Sequence, residues 1–280
     1  MKPEHRFKPT DWALILGASS GFGGATAIEF ARAGMNIFGV HLDRQATMPA
    51  VQQIVREIHH TGREAIYFNI NAADAIKRSE TLDEIKERFN AGHGNTVKVL
   101  LHSLAFGTLK PFIAKNPEDG VTQAQMEMTI DVMANSLVYW TQGLMARHLM
   151  KKGGRIFGMT SSGGHSVLPS YGAVSAAKAA LESHIRQLAM ELGPMGVTAN
   201  AVMAGVTDTP ALRKIPGHAE MIRVARMKNP TGSLTTPEDV AKALVLLADD
   251  DAHWISGNVI GVDGGEDIVS FVGHRGTAGE

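Results

Sequence analysis

The stretch LILGASSGFGGATAIEFARAG, residues 14–34, decides the fold of this chain. An apolar strand runs directly into a turn that holds Gly17, Gly21 and Gly23, and an apolar helix follows. Glycines permit the tight turn and let free N–H groups at the positive end of the helix approach a pyrophosphate. This order of elements predicts a dinucleotide-binding α/β unit, although a tight turn without a ligand would also use glycines.

Apolar, β-branched segments alternate with helical patterns along the rest of the chain. Strands separated by helices require crossover connections, which produce parallel sheets covered on both faces. We therefore predict an α/β, Rossmann-type doubly wound parallel sheet of about seven strands with helices on both faces. The predicted strands are 12–17, 35–42, 64–70, 97–104, 154–161, 196–203 and 258–265. The predicted helices are 22–33, 47–60, 74–90, about 122–150, 170–192 and 237–249.

The whole chain, residues 1–280, is predicted to form one domain, because no repeat, low-complexity linker or charge block divides it. Residues 209–234 interrupt the alternation of strands and helices, and we predict there an insertion that covers the substrate as a lid. The last residues, 269–280, are predicted to form a flexible tail.

The composition argues against several classes of function. The 27 Lys and Arg residues nearly balance the 28 Asp and Glu residues, so no nucleic-acid or membrane-surface partner is expected. The chain has no cysteine, and its 12 histidines lack the spacing of metal ligands, so no metal is expected. No apolar leader and no apolar run of about 18 residues is found, which favours a cytoplasmic protein without membrane insertion.

The residues HLDR, 41–44, end the second predicted strand, where the adenosine ribose of a dinucleotide would lie. An acidic side chain there favours the free 2′-hydroxyl of NADH, whereas a nearby arginine accommodates the 2′-phosphate of NADPH. We predict NADPH from His41 and Arg44, and Asp43 keeps NADH as the alternative.

The stretch YGAVSAAK, residues 171–178, places a phenol and an ammonium group seven positions apart in a predicted helix. Seven steps of about 100° return Lys178 to within about 20° of Tyr171, so both side chains share one face. Small residues separate them. Such a pair suits an active site in which the phenol and the ammonium group act together. A half-buried aromatic residue and a solvated lysine without a function would show the same pattern.

These motifs together resemble the short-chain dehydrogenase/reductase family over roughly residues 10–268. Residues 200–212 are similar to the loop beside the nicotinamide, and residues 257–265 to the last strand. In this family the helix that carries the Tyr/Lys pair commonly packs between subunits, so the resemblance implies a homotetramer or homodimer. The resemblance implies that the dinucleotide contacts Gly17, Ser19, Ser20, Gly21, Phe22, Gly23, His41, Arg44, Asn69, Ile70, Ser103, Leu104, Ala105, Tyr171, Lys178, Gly205, Val206, Thr207 and Thr209.

One departure from the common family pattern is informative. Most members place the tyrosine four residues before the lysine, where this chain has Val174. Six residues between Tyr171 and Lys178 resemble the enoyl-acyl-carrier-protein reductases of bacterial fatty-acid biosynthesis. The stretch LLHSLAFG (100–107) and the pair at 204–205, which replaces Pro-Gly, also resemble that group. Residues 208–232 are closest to its third type.

This resemblance implies NADPH-dependent reduction of trans-2-enoyl thioesters, with the thiol on acyl carrier protein or on CoA. Hydride would reach the β-carbon, while the phenol of Tyr171 stabilises the enolate that forms on the thioester oxygen. Lys178 would hold the nicotinamide ribose and fix its geometry. Ser161, 17 residues before Lys178, is the third candidate, and it either contacts the substrate oxygen or only ends a strand.

Two other functions remain open at this point. A short-chain reductase of ketones, hydroxysteroids or 2,4-dienoyl-CoA is compatible with the fold and with Ser161, whereas Val174 argues against the ketone version. A dinucleotide-binding regulator without catalysis would keep the glycines but would not need Tyr171, Lys178 and Thr209 together.

The predicted lid contains a basic stretch in which Glu220 is the only acidic residue between 212 and 229. Such a stretch beside the substrate would attract an acidic carrier protein, and a solvated helix face is the alternative. Its cations are Arg213, Lys214, Arg223, Arg226 and Lys228.

Overall fold

The computed structural model describes residues 6–92 and 94–270. Its strands are β1 (Asp11–Leu16), β2 (Asn36–His41), β3 (Ala65–Asn69), β4 (Thr96–His102), β5 (Arg155–Thr160), β6 (Thr198–Ala204) and β7 (Val259–Val262). They form one sheet of seven strands in the order β3-β2-β1-β4-β5-β6-β7. All neighbouring strands are parallel. The predicted Rossmann-type sheet is confirmed.

Eight α-helices connect and cover these strands within the described residues. They are α1 (Gly21–Arg32), α2 (Met48–His60), α3 (Ala75–Asn90), α4 (Gln123–Ile130), α5 (Ser136–Ala146), α6 (Gly172–Leu192), α7 (His218–Lys228) and α8 (Pro237–Leu247). Three of them begin at clear capping residues: Asp74 accepts hydrogen bonds from the first turn of α3, and Thr122 and Thr236 do so for α4 and α8. Within the described part of the chain, no helix is long and apolar enough to cross a membrane.

The two faces of the sheet carry separate apolar cores, because side chains alternate between faces along each strand. In β1, Leu14 and Leu16 face a core shared with α3, α5 and α6. Ala13 and Ile15 face the second core, shared with α1, α2 and α8. The strand is therefore apolar throughout, as a doubly covered parallel sheet requires.

The helix predicted over about 122–150 differs from the observed structure. It is divided into α4 and α5 by a π-helical turn at Asp131–Asn135. The hydroxyl of Ser136 donates to the carbonyl of Val132, so a side chain supplies a bond to the backbone at this irregularity. The helix also ends earlier than predicted, at Ala146, and His148 then adopts a left-handed φ of 56°.

Two other boundaries shift for backbone reasons. The predicted helix 170–192 begins only at Gly172, because Ser170 has a left-handed φ of 60° that no helix accepts. The last predicted strand, 258–265, ends at Val262, since Gly264 and Gly265 have φ values of 63° and 84°.

The predicted lid segment, 209–234, contains α7 and a short 3-10 turn at Leu212–Lys214. The segment after β7 contacts the loop before this region and the residue that follows α7. The carboxylate of Glu266 accepts a hydrogen bond from Val206 N at 3.2 Å, and the amide of Asn229 donates to the carbonyl of Asp263 at 2.8 Å. Most of the predicted tail, residues 271–280, lies outside the described residues, and the single-domain division stays a prediction.

Candidate functional site

The glycine-rich turn lies at the carboxyl edge of the sheet, between β1 and α1. A Cβ on Gly17 would lie 2.5 Å from the carbonyl oxygen of Ser103, and one on Gly23 would lie 2.1 Å from the oxygen of Gly17. Gly21 has a φ of 52°, and the side chain of Thr209 is the nearest group to its Cβ position, at 3.6 Å. The glycine-rich turn after β1 thus lies beside Ser103, after β4, and Thr209, after β6. All are predicted to contact the dinucleotide.

These residues fit the phosphates of a dinucleotide. Ser20 precedes α1 without capping it by its side chain, so the first N–H groups of the helix are not satisfied from there. Gly21 and Phe22 form the first turn, and Ser19 stands beside them. Glycine at the tightest points leaves the backbone open to a pyrophosphate at the positive helix end.

The predicted ribose site at the end of β2 is organised around Asp43. His41 is buried, and its Nδ1 lies 2.9 Å from Oδ2 of Asp43. Burial raises the pKa of Asp43, but hydrogen bonds from Ser19, Thr47 and His41 outweigh it and hold the pKa below its usual value. The carboxylate is therefore charged, and the ring of His41 is hydrogen-bonded to it. The side chain of Arg44, in contrast, is exposed to solvent.

Four other residues that are predicted to contact the dinucleotide lie at the ends of the neighbouring strands or just after them. Asn69 ends β3 and exchanges hydrogen bonds of 3.0 and 2.9 Å with the backbone of Asp43, which anchors the HLDR segment. Ile70 N donates to the carbonyl of His41. Leu104 packs against the first core, whereas Ala105 is exposed just after β4.

The loop after β6 carries Gly205, Val206, Thr207 and Thr209. A Cβ on Gly205 would lie 2.4 Å from Oγ1 of Thr235 and 2.9 Å from Glu266, so this position also excludes a side chain. Thr207 donates to the carbonyl of Gly205, and Thr209 Oγ1 accepts from Leu212 N. Burial raises the pKa of Glu266. No sequence pattern identifies this residue, because its partner Val206 is 60 positions away.

Tyr171 immediately precedes α6 and is 9% exposed. Burial raises the pKa of its phenol, and the nearby Ser161 opposes that rise. The phenol therefore stays protonated at neutral pH and can donate a hydrogen bond. Ser161 directly follows β5, and its buried Oγ interacts with the phenol of Tyr171.

Lys178 lies two turns into α6 and is buried. Its Nζ donates to the carbonyl of Met159, at the end of β5, at 2.7 Å. Burial lowers its pKa to about 8, although Glu182 opposes the shift. One hydrogen bond leaves further N–H groups of the ammonium for a ligand.

The pKa of Lys178 leads to a prediction on pH. Below about pH 8 the buried amine is charged, and above it the charge is lost, so we expect dinucleotide affinity to fall as pH rises through about 8. The free energy of unfolding should instead rise between about pH 8 and 10.5. In this range the unfolded chain still holds the proton that the folded chain has released. Fluorescence titration of the cofactor across this range measures the first effect.

The Lys178→Arg variant is the control for that prediction, because a guanidinium stays charged throughout the range. Its affinity curve should show no inflection near pH 8. The same inflection in the variant would assign the titration to another group.

His102 and Ser136 form a buried pair near Lys178 that the sequence did not identify as functional. His102 ends β4, and its Nε2 lies 2.8 Å from Oγ of Ser136. Burial lowers the pKa of His102 to about 3, and the charge of Lys178 adds to the effect. The imidazole is therefore neutral. Its Nδ1 is without a hydrogen-bond partner in the described part of the chain.

An apolar cluster surrounds the ring of Tyr171. Its buried members are Met133, Val174 and Ala177, from the π-helical turn and α6. Further apolar side chains from the loops and the lid region pack against it; they include Leu109, Leu168 and Ile215. The ring of Tyr171 is thus packed among apolar side chains.

The basic stretch of the lid is partly neutralised by ion pairs. Arg213 pairs with Asp208 at 2.8 Å, and Arg223 pairs with Glu220 at 2.5 Å. Asp208 lies just before the stretch, so the sequence count of one acidic residue missed it. In addition, no three His, Cys, Asp or Glu side chains among the described residues form a group that could hold a metal ion.

A family model described as Enoyl-(Acyl carrier protein) reductase matches residues 17–266. The chain is 29% identical over 263 residues to the (2S)-[(R)-hydroxy(phenyl)methyl]succinyl-CoA dehydrogenase subunit BbsD of Thauera aromatica, with 91% of this chain and 96% of that protein covered. The solved enoyl-[acyl-carrier-protein] reductase (NADH) from Aquifex aeolicus VF5 is similar with a TM-score of 0.80 at 25% identity, over 93% of this chain and 98% of that chain. A short chain dehydrogenase from Burkholderia cenocepacia J2315 in complex with NADP gives a TM-score of 0.77 at 25% identity, over 94% and 99%.

Proposed function

Because the chain belongs to the enoyl-(acyl carrier protein) reductase family of the short-chain dehydrogenase/reductase superfamily, we propose that it reduces trans-2-enoyl thioesters. The broader statement, that it is an oxidoreductase of this superfamily, follows from the family itself. The narrower reaction is supported by the site. It would place the protein in fatty-acid biosynthesis, with the substrate carried on acyl carrier protein or CoA.

The observation that carries the proposal is the position of the phenol. One helical turn before Lys178, where most superfamily members have their tyrosine, Val174 packs into the apolar cluster. The phenol instead stands at the residue before α6, seven positions from Lys178. A donor displaced in this way suits a substrate whose oxygen lies three bonds away from the carbon that receives hydride, as in an enoyl thioester, and not one bond away, as in a ketone.

The chemistry of the chain's own residues is consistent with that role. The protonated phenol of Tyr171 would donate to the thioester oxygen and stabilise the enolate as negative charge develops there. Lys178, held by the carbonyl of Met159, would bind the ribose of the cofactor and add positive charge beside the oxyanion. The bound nicotinamide would supply the hydride. The apolar cluster keeps water from the reacting atoms.

A comparison of two thioesters tests the proposal. Oxidation of the reduced nicotinamide at 340 nm should be observed with a crotonyl thioester and be absent with an acetoacetyl thioester, using NADPH and NADH in separate assays. Turnover of the acetoacetyl substrate alone would refute the proposal and show that the displaced tyrosine does not select the chemistry. Cofactor binding without turnover of either substrate would instead favour a non-catalytic regulator.

A second candidate, the reduction of a ketone, is favoured by Ser161. Its buried Oγ interacts with the phenol of Tyr171, so the two hydroxyls would be able to contact the same substrate oxygen. The Thauera aromatica relative is itself named as a dehydrogenase of a hydroxyacyl-CoA. The acetoacetyl assay distinguishes this candidate.

We propose NADPH as the preferred cofactor, and this now depends on Arg44 alone, because His41 is committed to Asp43. Asp43→Asn removes the negative charge at nearly constant shape. It should raise the ratio of kcat/KM for NADPH over NADH about tenfold or more, since a carboxylate repels the 2′-phosphate. Arg44→Ala should lower the same ratio by about tenfold.

Steady-state kinetics with both cofactors measure these ratios. Arg56→Ala, on the exposed face of α2, is the matched control and should leave the ratio unchanged. If neither substitution at 43 or 44 changes the ratio, the adenosine ribose does not lie at the HLDR segment.

A further inference from the structure

A glycine pair follows Ser161 at the end of β5. Residues Ser162–Gly164 form a single 3-10 turn, closed by a hydrogen bond of 2.9 Å from Gly164 N to the carbonyl of Ser161. Gly163 is buried in this turn, while the residues on either side are partly exposed. The turn separates two candidate site residues, Ser161 and Tyr171.

Gly163 leaves no room for a side chain. A Cβ at this position would lie 2.5 Å from Cε1 and 3.1 Å from Cδ1 of Tyr171, and 3.2 Å from Oγ of Ser161. Distances below about 3 Å between such atoms require one of them to move. The absence of a Cβ therefore lets the turn pass directly against one edge of the phenol ring.

The ring is also confined by other residues. Met133, Val174 and Ala177 pack with Tyr171 in a cluster of buried residues, and the tyrosine is only 9% exposed. A ring pushed by a methyl group at Gly163 would have to turn toward this cluster or carry its hydroxyl away from Ser161. The hydroxyl of Tyr171 is thus placed by contacts on its ring and not only by the helix that follows it.

We propose that Gly163 is a positioning residue that fixes the phenol of Tyr171 for the reaction. The proposal rests on the proposed function, in which the hydroxyl of Tyr171 contacts the substrate oxygen. Gly163 itself touches neither substrate nor cofactor in this account. It acts by letting the turn seat the tyrosine ring.

Gly163→Ala should therefore lower kcat for a crotonyl thioester about 10- to 100-fold, because a displacement of about 1 Å of a reacting group has effects of this size. The dissociation constant of the dinucleotide should change less than about threefold, since the atoms nearest to the new Cβ belong to Tyr171 and Ser161 and not to Lys178 or the glycine-rich turn. A loss of kcat without a loss of cofactor affinity separates positioning from general damage to the fold.

The adjacent glycine provides a matched control. A Cβ on Gly164 would meet Oε1 of Glu182 at 3.0 Å and Cβ of Lys178 at 3.5 Å, so the atoms nearest to it do not belong to Tyr171. Gly193→Ala is a second control, because nothing lies within 4 Å of its Cβ position. Both variants should keep kcat within about threefold of the unmodified protein.

A spectroscopic measurement reports the ring without any substrate. The chain has 3 tyrosines, so labelling with 3-fluorotyrosine gives three fluorine environments. Tyr171→Phe assigns one of them. Gly163→Ala should shift the fluorine resonance of Tyr171 and leave those of Tyr67 and Tyr139 unchanged, whereas Gly164→Ala should shift none strongly.

A double substitution completes the test. In a Tyr171→Phe background, Gly163→Ala should cause little further loss of kcat, because the group that it displaces is already absent. An unshifted Tyr171 resonance with full activity would overturn the proposal. The backbone of the turn, and not the ring of Tyr171, would then have moved to make room for the methyl group. Shifts of all three resonances with weakened cofactor binding would also overturn it. If the protein does not reduce enoyl thioesters at all, the resonance shift still tests the placement of the ring.

Discussion

Replacing Tyr171 by phenylalanine should lower kcat for a crotonyl thioester about 100- to 1,000-fold, the usual cost of removing one donor to a developing oxyanion. The ring itself remains, so its packing against Met133 and Val174 is preserved. The loss then reports the hydroxyl alone. Cofactor affinity should stay within about threefold, because Lys178 and the glycine-rich turn are unchanged.

Steady-state kinetics and a fluorescence titration of the cofactor measure these two quantities. Tyr139→Phe is the control, since that side chain is partly exposed and lies over Arg78, away from the site. A Tyr171→Phe enzyme with nearly full kcat would remove the phenol from the mechanism. Loss of cofactor binding in the variant would show that the hydroxyl contacts the dinucleotide or supports the fold of the site instead.

Replacing Gly23 by alanine should abolish the cofactor site. The new Cβ would lie 2.1 Å from the oxygen and 2.9 Å from the carbon of the Gly17 carbonyl, which are backbone atoms. Gly17 cannot move away from the new methyl group, because the backbone of Ser103 already packs against it. A Cβ built on Gly17 would lie 2.5 Å from the carbonyl oxygen of Ser103. We expect the free energy of unfolding to fall by about 3 kcal/mol and dinucleotide affinity to fall more than about 100-fold.

The neighbouring glycine makes a stringent comparison. A Cβ on Gly24 would meet Cδ1 of Ile54 at 2.9 Å, and that methyl group ends a flexible side chain. Gly24→Ala should therefore cost about 1 kcal/mol or less and retain cofactor binding. Denaturant unfolding and cofactor titration of both variants give the result. Equal behaviour of the two variants would contradict the reasoning from backbone contact.

The sequence predicted the sheet well because its strands are continuous apolar segments, and that pattern is local. Seven predicted strands each overlap an observed one. It failed where a long-range or side-chain contact decides the backbone: a hydroxyl at Ser136 accompanies the π-helical turn, and a left-handed residue at 170 delays α6. The helix α7 was missed, since its mixed polar sequence resembles an irregular insertion.

The candidate site shows the same division. The glycines, Tyr171 and Lys178 have spacings that sequence alone can reveal. Glu266, His102 and Gly163 do not, because their roles depend on partners that only the fold brings near. The assignment of His41 to a cofactor phosphate is weakened for a related reason, because the contact of its ring with Asp43 is not apparent from the sequence.

The strand order has a consequence for synthesis on the ribosome. Five of the six pairings in the described sheet join strands that are consecutive in the chain, and only the pairing of β1 with β4 does not. Once β4 has emerged and joined β1, each new strand meets the free edge left by its predecessor. The segment that reaches Val206 and Asn229 is made after all seven strands. The nascent protein can therefore pair its first six strands before Asp263 and Glu266, which contact Asn229 and Val206, have been synthesised.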